Sequence, residues 1–236
     1  MSSEGKQTRN RRGPSKMPLG RHVVLEITEV GHPLVPAKAS GPFKTACGVV
    51  ARDAVPITYR AWTGRRGDLT VVPDDLKESY WRKVIEVFQF PPEKELLVRR
   101  HAITIMCNAW KNFKTFLNRD YVKKDLTPDF DKEYPKLRPF WEEFVEYKKL
   151  EIAQTIAQRN KANSDKNVYP HVLGTGGYVK KIPEWDKQEV ELTASGVVPT
   201  TSELSTRSKH WMLARRATLS NDGSLTFRSE RIEEVA

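Results

Sequence analysis

LLVRRHAITIMCNAWKNFKTFLNR, Leu96 to Arg119, holds no acidic residue. On a period of about 3.6 residues, Ile103, Met106, Cys107, Trp110, Phe113, Leu117 and Tyr121 fall along one side of a helix. Thr104, Asn108, Lys111, Asn112, Thr115 and Arg119 fall along the other. A solvated helix face ordinarily mixes Glu with Lys, because opposite charges one turn apart support the helix. This face offers only cations, amides and hydroxyls, the groups that meet phosphates and base edges. Two readings fit: a nucleic-acid surface, or a core-packing helix whose outer face is basic without consequence.

The flanking sequence supplies two more helices. The first opens at Val72-Pro73-Asp74-Asp75, with Glu78 three residues past Asp75 as in a capping box. Leu76, Tyr80, Trp81, Val84 and Phe88 share its apolar arc, and Phe90-Pro91-Pro92 ends it. The acid-free helix itself extends from about Glu93 to Val122. A third helix opens at Pro139, a favoured first helical residue, and carries Phe140, Trp141, Phe144, Val145, Leu150, Ile152 and Ile156 before fraying over 158–167. Trp81, Trp110 and Trp141 each sit on an apolar side, which predicts one shared core.

Before these helices, Val23, Leu25 and Ile27 alternate with Val24, Glu26 and Thr28, the pattern of a half-buried strand. Gly31-His32-Pro33 turns the chain so that Leu34-Val35 pairs back. Phe43, Ala46, Cys47 and Val50 predict a short helix near 43–53, limited by Gly41-Pro42 and Gly48. Residues 57–62 read as extended and 64–67 as a loop. After 171 the pattern weakens to a short helix over 178–194, a turn or two over 207–217, and a small hairpin about Asn221-Asp222-Gly223. The fold class is mainly α: a three-helix core over about 73–165, preceded by a short β-hairpin and helix. The expected divisions are a disordered basic arm (1–20), a helical domain (21–170) and a weakly structured C-terminal region (171–236).

The net charge of +10 is unevenly placed. Lys6, Arg9, Arg11, Arg12, Lys16 and Arg21 face only Glu4 within the first 22 residues, and the span 94–124 opposes its cations with only Glu95 and Asp120. Two basic elements on a near-neutral body resemble a polyanion footprint more than a general surface charge. The arm is too polar to offset its chain entropy by burial, and reads as a phosphate-gripping or nuclear-import segment or as a plain tail.

Catalytic signals are wanting. Gly174-Thr175-Gly176-Gly177 lacks the Lys and the spacing of a phosphate loop. His22, His32, His101, His171 and His210 stand singly, with no HExxH pattern. Cys47 and Cys107 lie far apart with no CxxC, which argues against a zinc site; Cys107 reads as a small buried hydrophobe. Asp125, Asp129, Asp131 and Glu133 lack the spacing of a calcium loop and read as a solvated acidic linker. No apolar run reaches the roughly 18 residues of a membrane span. The expectation is a soluble intracellular protein, not an enzyme, with no cofactor, no metal and no membrane partner.

VPDDLKESYWRKVIEVFQFP followed by AWKNFKTFLNRDYV resembles the accessory domain encoded by plant CACTA (En/Spm-type) transposons, the plant transposase (Ptta/En/Spm) family. The likeness continues through RPFWEEFVEYKKLEIAQTIAQRNKANSDKN, YPHVLGTGGYVKKIPEWDKQEVE, RSKHWMLARRATL and DGSLTF, in order, over about residues 20–228. One departure is Ala214-Arg215-Arg216, which stands where a His-Gly-Gly-like turn belongs. The resemblance implies a transposon-derived plant nuclear protein that recognises element DNA or assists a transposase, without a catalytic site of its own. On that view Arg99, Arg100, Lys111, Lys114, Arg119, Lys123 and Lys124 contact phosphate and groove, and Asn108 and Asn112 read bases. Duplex DNA at transposon ends is the expected partner, with a transposase or a second copy of the chain as further candidates. The alternative is a helical protein–protein interaction module of a decayed element.

Overall fold

The computed structural model describes residues 14–65, 67–174 and 177–227. The cations Lys6, Arg9, Arg11 and Arg12 of the expected arm lie outside them. The chain forms two compact units, Met1–Thr155 and Ile156–Ala236.

The first unit is built on helices. α1 spans Ser40–Ala54, α2 Asp74–Ile85, α3 Glu95–Asp120 and α4 Trp141–Lys149; α5, Glu151–Asp165, contains the division between units. The short strands β1 (His22–Val23) and β4 (Phe88–Gln89) pair in parallel, and β2 (Glu26–Ile27) pairs antiparallel with β3 (Pro33–Val35).

α1 is longer than its sequence suggests, and it is a central element of the core. Phe43, Ala46, Cys47 and Val50 are buried together with Tyr80, Trp81 and Val84 of α2 and Val98, Ala102, Met106 and Trp110 of α3. Pro42 sits within the first helical turn, where a missing N–H costs nothing, so it does not delay the start of α1. A second apolar cluster gathers Ile57, Leu117, Val122, Leu137, Trp141 and Phe144. Trp81 and Trp110 therefore share a core and Trp141 belongs to another; α3 is long enough to feed both.

Three local expectations change. Glu78 makes no capping box: Pro73 precedes the first turn of α2 with no side-chain cap, Asp74 holds the Lys77 ammonium at 2.7 Å, and Glu78 accepts from Arg99 Nε at 2.7 Å. The strand faces are reversed over 23–25 only, since Ile27 packs against the same cluster as α1, as expected. Val24 is buried while Val23 and Leu25 are exposed, because Val24 N–H donates to the Gln89 carbonyl at 2.9 Å and the chain is anchored there by pairing with β4. The third helix breaks at Leu150, whose extended backbone (ψ 141°) separates α4 from α5.

Residues 14–20 carry no regular structure, yet they touch the body. Met17 packs against the first cluster, and Arg52 Nη2 donates to the Ser15 carbonyl at 2.7 Å. Gly31, at φ +84°, lies so near α3 that a Cβ there would stand 2.5 Å from the Leu97 carbonyl oxygen. Only glycine fits both that conformation and that approach.

The second unit contains α6 (Gly177–Ala194), α7 (Thr206–Leu213) and the hairpin β5 (Thr218–Leu219) with β6 (Leu225–Thr226). Met212, Leu213 and Ala217 form its core with Trp185, Leu204, Trp211, Leu225 and Phe227 around them. Ser205 caps α7 by accepting from the Ser208 N–H at 3.1 Å, and Lys209 ties α7 to Glu189 of α6 at 2.5 Å. Arg216 adopts φ +73°, a left-handed conformation costly for a side-chain-bearing residue.

A candidate nucleic-acid interface on helix α3

The buried stripe of α3 is Val98, Ala102, Met106, Trp110, Lys114 and Leu117, stepping mostly by four residues. Ile103, Cys107, Phe113 and Tyr121 flank it half-buried. The opposite side is open: Arg100, Thr104, Asn108, Lys111, Asn112, Thr115 and Arg119 are all exposed. Lys123 and Lys124 continue the charge on a 3₁₀ turn past the helix end, and both are exposed.

Those cations are not equivalent. Arg119 spends its fork on Asp120, with Nε–Oδ1 3.1 Å and Nη2–Oδ2 2.9 Å, which raises its already high pKa. Lys124 also reaches Asp120, at 3.6 Å, and Arg99 is bound to Glu78. Arg100, Lys111 and Lys123 have no carboxylate within ion-pair distance among the described residues. The hydroxyls of Thr104 and Thr115 turn inward and donate to the carbonyls of Arg100 and Lys111, each at 3.0 Å, while the exposed amides of Asn108 and Asn112 make no side-chain hydrogen bond among the described residues. Exposed amides on a helix face are what bidentate contact with adenine requires.

Lys114 does not belong to this face. Its side chain is 7% exposed; the ammonium donates to the Tyr59 carbonyl and lies 4.1 Å above the Trp110 ring. Burial first, and Lys148 nearby second, bring its pKa down to about 7. An expected phosphate contact is thus an inward-facing, weakly charged amine. Helical arithmetic held the signal, since Lys114 follows Trp110 by one turn and precedes Leu117 by less than one.

Beside α3 opens a cleft of about 650 Å³, lined among others by Trp62, Lys77, Arg99, Arg100 and Thr104. Lys77 and Trp62 carry no local sequence signal of a site; both are buried, and the Trp62 indole N–H finds no hydrogen-bond partner among the described residues. Cys107 also reaches this cleft and is half-buried, whereas Cys47 is sealed in the core with its thiol pushed up to about 12 by burial. Among the described residues, no group of three or more His, Cys, Asp or Glu side chains could hold a metal ion. None of the described helices is long and apolar enough to cross a membrane.

Compared with known protein families, curated proteins and solved structures, the chain matches none.

Proposed function

We propose that this chain is a transposon-derived DNA-binding or transposition-accessory protein of a plant nucleus, acting through the outer face of α3 and without a catalytic site of its own. One observation carries the reading: Arg100, Asn108, Lys111 and Asn112 stand exposed along one side of a helix whose other side is locked in the core. A rigid helix presenting cations and free amides supplies phosphate contacts for affinity and amide contacts for base choice. Lys123 extends the same charge beyond the helix end. The resemblance of the Val72–Val122 blocks to the En/Spm family supports transposon ends as the duplex target.

Gel-shift titration at two salt concentrations tests it, with Arg100→Glu and Lys111→Glu combined in one variant. Each phosphate contact contributes a slope of roughly 0.9 in log K against log salt, so the double reversal flattens the dependence by about two such steps. Undiminished binding by a folded double variant rules the face out. The second reading is a protein-interaction module. The observation favouring it is the set of exposed apolar side chains on the β2–β3 hairpin and its flanks, Val23, Leu25, Val30 and Leu34.

A further inference from the structure

Between α3, α4 and the segment at 59–60, cations and aromatic rings alternate. Lys114 Nζ lies 4.1 Å from the Trp110 ring centre and 5.9 Å from that of Phe144. Lys148 Nζ lies 5.4 Å from Phe144 and 5.5 Å from Tyr147, and the Arg60 guanidinium lies 5.0 Å from Tyr147 on its own account. Exposure is graded along this series: Lys114 is buried, Lys148 half-buried and Arg60 exposed. Ring faces attract cations, but they do not accept the remaining N–H bonds of an ammonium. Lys114 has the Tyr59 carbonyl; Lys148 has no hydrogen-bond acceptor or carboxylate among the described residues. Asp68 senses Arg60, but it is exposed and bonded to Thr70.

Two partly desolvated ammonium groups that share the Phe144 ring, one sensing the other's charge, have no counter-ion among the described residues, against the rule that buried charge is paired. We propose that Lys148 and Lys114, with Arg60 as the exposed flanking cation, form a binding site for an oxyanion of the phosphate class. An oxyanion with several lone pairs fills the vacant donors of Lys148 and compensates Lys114 at the same time. The site lies on the inner side of α3, away from Lys111, and does not depend on the DNA reading. Burial and the neighbouring Lys148 lower the Lys114 pKa to about 7, and burial lowers that of Lys148. A bound anion favours the charged amine, so above neutral pH its arrival is coupled to proton uptake.

The test is calorimetric titration of the full chain with inorganic phosphate at matched ionic strength, against chloride, in two buffers of different ionisation enthalpy well above neutral pH, where free phosphate is already the dianion and has no proton to release on binding. Wild type is expected to bind phosphate with net proton uptake, Lys148→Arg to keep binding, and Lys148→Gln to lose about tenfold or more in affinity. The Arg100→Glu, Lys111→Glu variant is expected to bind phosphate like wild type, which separates this site from the outer face. Phosphate-induced shifts of the Lys148 side-chain resonance in wild type give the same answer without mutation, should the Gln variant fail to fold. Binding no stronger than chloride in wild type, or undiminished in a folded Lys148→Gln, overturns the proposal. Competition by a short duplex identifies a nucleic-acid phosphate as the occupant; its absence identifies a free phosphate or phosphomonoester.

Discussion

Lys111 and Lys114 are less than one helical turn apart on α3, yet they inhabit different media. Lys111 is exposed with no acid within ion-pair distance among the described residues; Lys114 is buried against Trp110 with its charge half withdrawn near neutral pH. The same residue type therefore serves opposite ends: outside it is a point charge for a polyanion, inside it is a long apolar stem capped by an expensive ammonium. Rotation about the helix axis, not composition, decides which. A basic segment read only by its charge overstates its footprint, and a helix read only by its apolar stripe misses a cation inside that stripe.

The inner side breaks first at Trp110. It is 1% exposed, packs 5.7 Å from Trp62 between ring centres, and donates its indole N–H to the Pro56 carbonyl at 3.3 Å. Trp110→Ala is expected to cost about 3–5 kcal/mol and to remove the cation–π support of Lys114. Urea denaturation followed by circular dichroism measures it; a loss under about 1 kcal/mol would mean that the core closes without this ring. Gly31→Ala attacks the same side from outside the helix. The positive φ and the 2.5 Å approach to the Leu97 carbonyl predict a loss of roughly 1–3 kcal/mol. Thermal melting against a Gly20→Ala control, where a Cβ meets nothing within 4 Å although φ is +77°, separates the clash from the conformation.

Lys114→Met sharpens the contrast in the other direction. The folded-state pKa, about 7, lies below the ordinary lysine value of 10.5. Between those two values the unfolded chain holds a proton that the folded chain does not, so stability rises with pH across this window. The penalty is fully present below pH 7, where the buried amine must be charged. Lys114→Met, which keeps the stem and drops the charge, is therefore expected to gain about 1–2 kcal/mol at pH 7 and to lose much of the rise in stability between pH 7 and 9. Matched melts of both proteins at the two pH values check the sign; a variant with the wild-type pH slope would show that Lys114 is not the titrating group.

Much of this was legible in the sequence, for identifiable reasons. α3 and α2 are long and strongly periodic, and the Asn-Asp-Gly turn between β5 and β6 has local chemistry that tertiary context did not override. α1 is harder to read because Gly41, Pro42 and Gly48 look like interruptions, although a proline in the first turn breaks no hydrogen bond and a Cβ at Gly48 would meet nothing within 4 Å. The capping box failed because Glu78 had a stronger partner in Arg99, from a helix distant in sequence. Of the candidate face, Lys114 turns into the core and Arg99 is tied to Glu78. The Arg60–Lys148 series depends on three segments meeting, which no local pattern encodes.

The smallest effect is expected where the comparison began. Lys111→Met should change stability by no more than about 0.5 kcal/mol, because the side chain is exposed, carries no ion pair among the described residues, and methionine suits a helix nearly as well as lysine. Its effect belongs to binding alone. If the outer face meets duplex DNA, the variant loses roughly 0.9 of salt slope with its melting curve unchanged, while Asn108→Ala keeps the slope and loses about 1–3 kcal/mol of preference between sequences. The two variants thus fail differently, one uniformly over all duplexes and one only where an adenine stood opposite the amide. Measured together, they ask whether α3 holds DNA by charge, by reading, or by neither. A Lys111→Met protein that binds as before at every salt concentration assigns this lysine to solvent. The difference between Lys111 and Lys114 would then be a matter of packing alone.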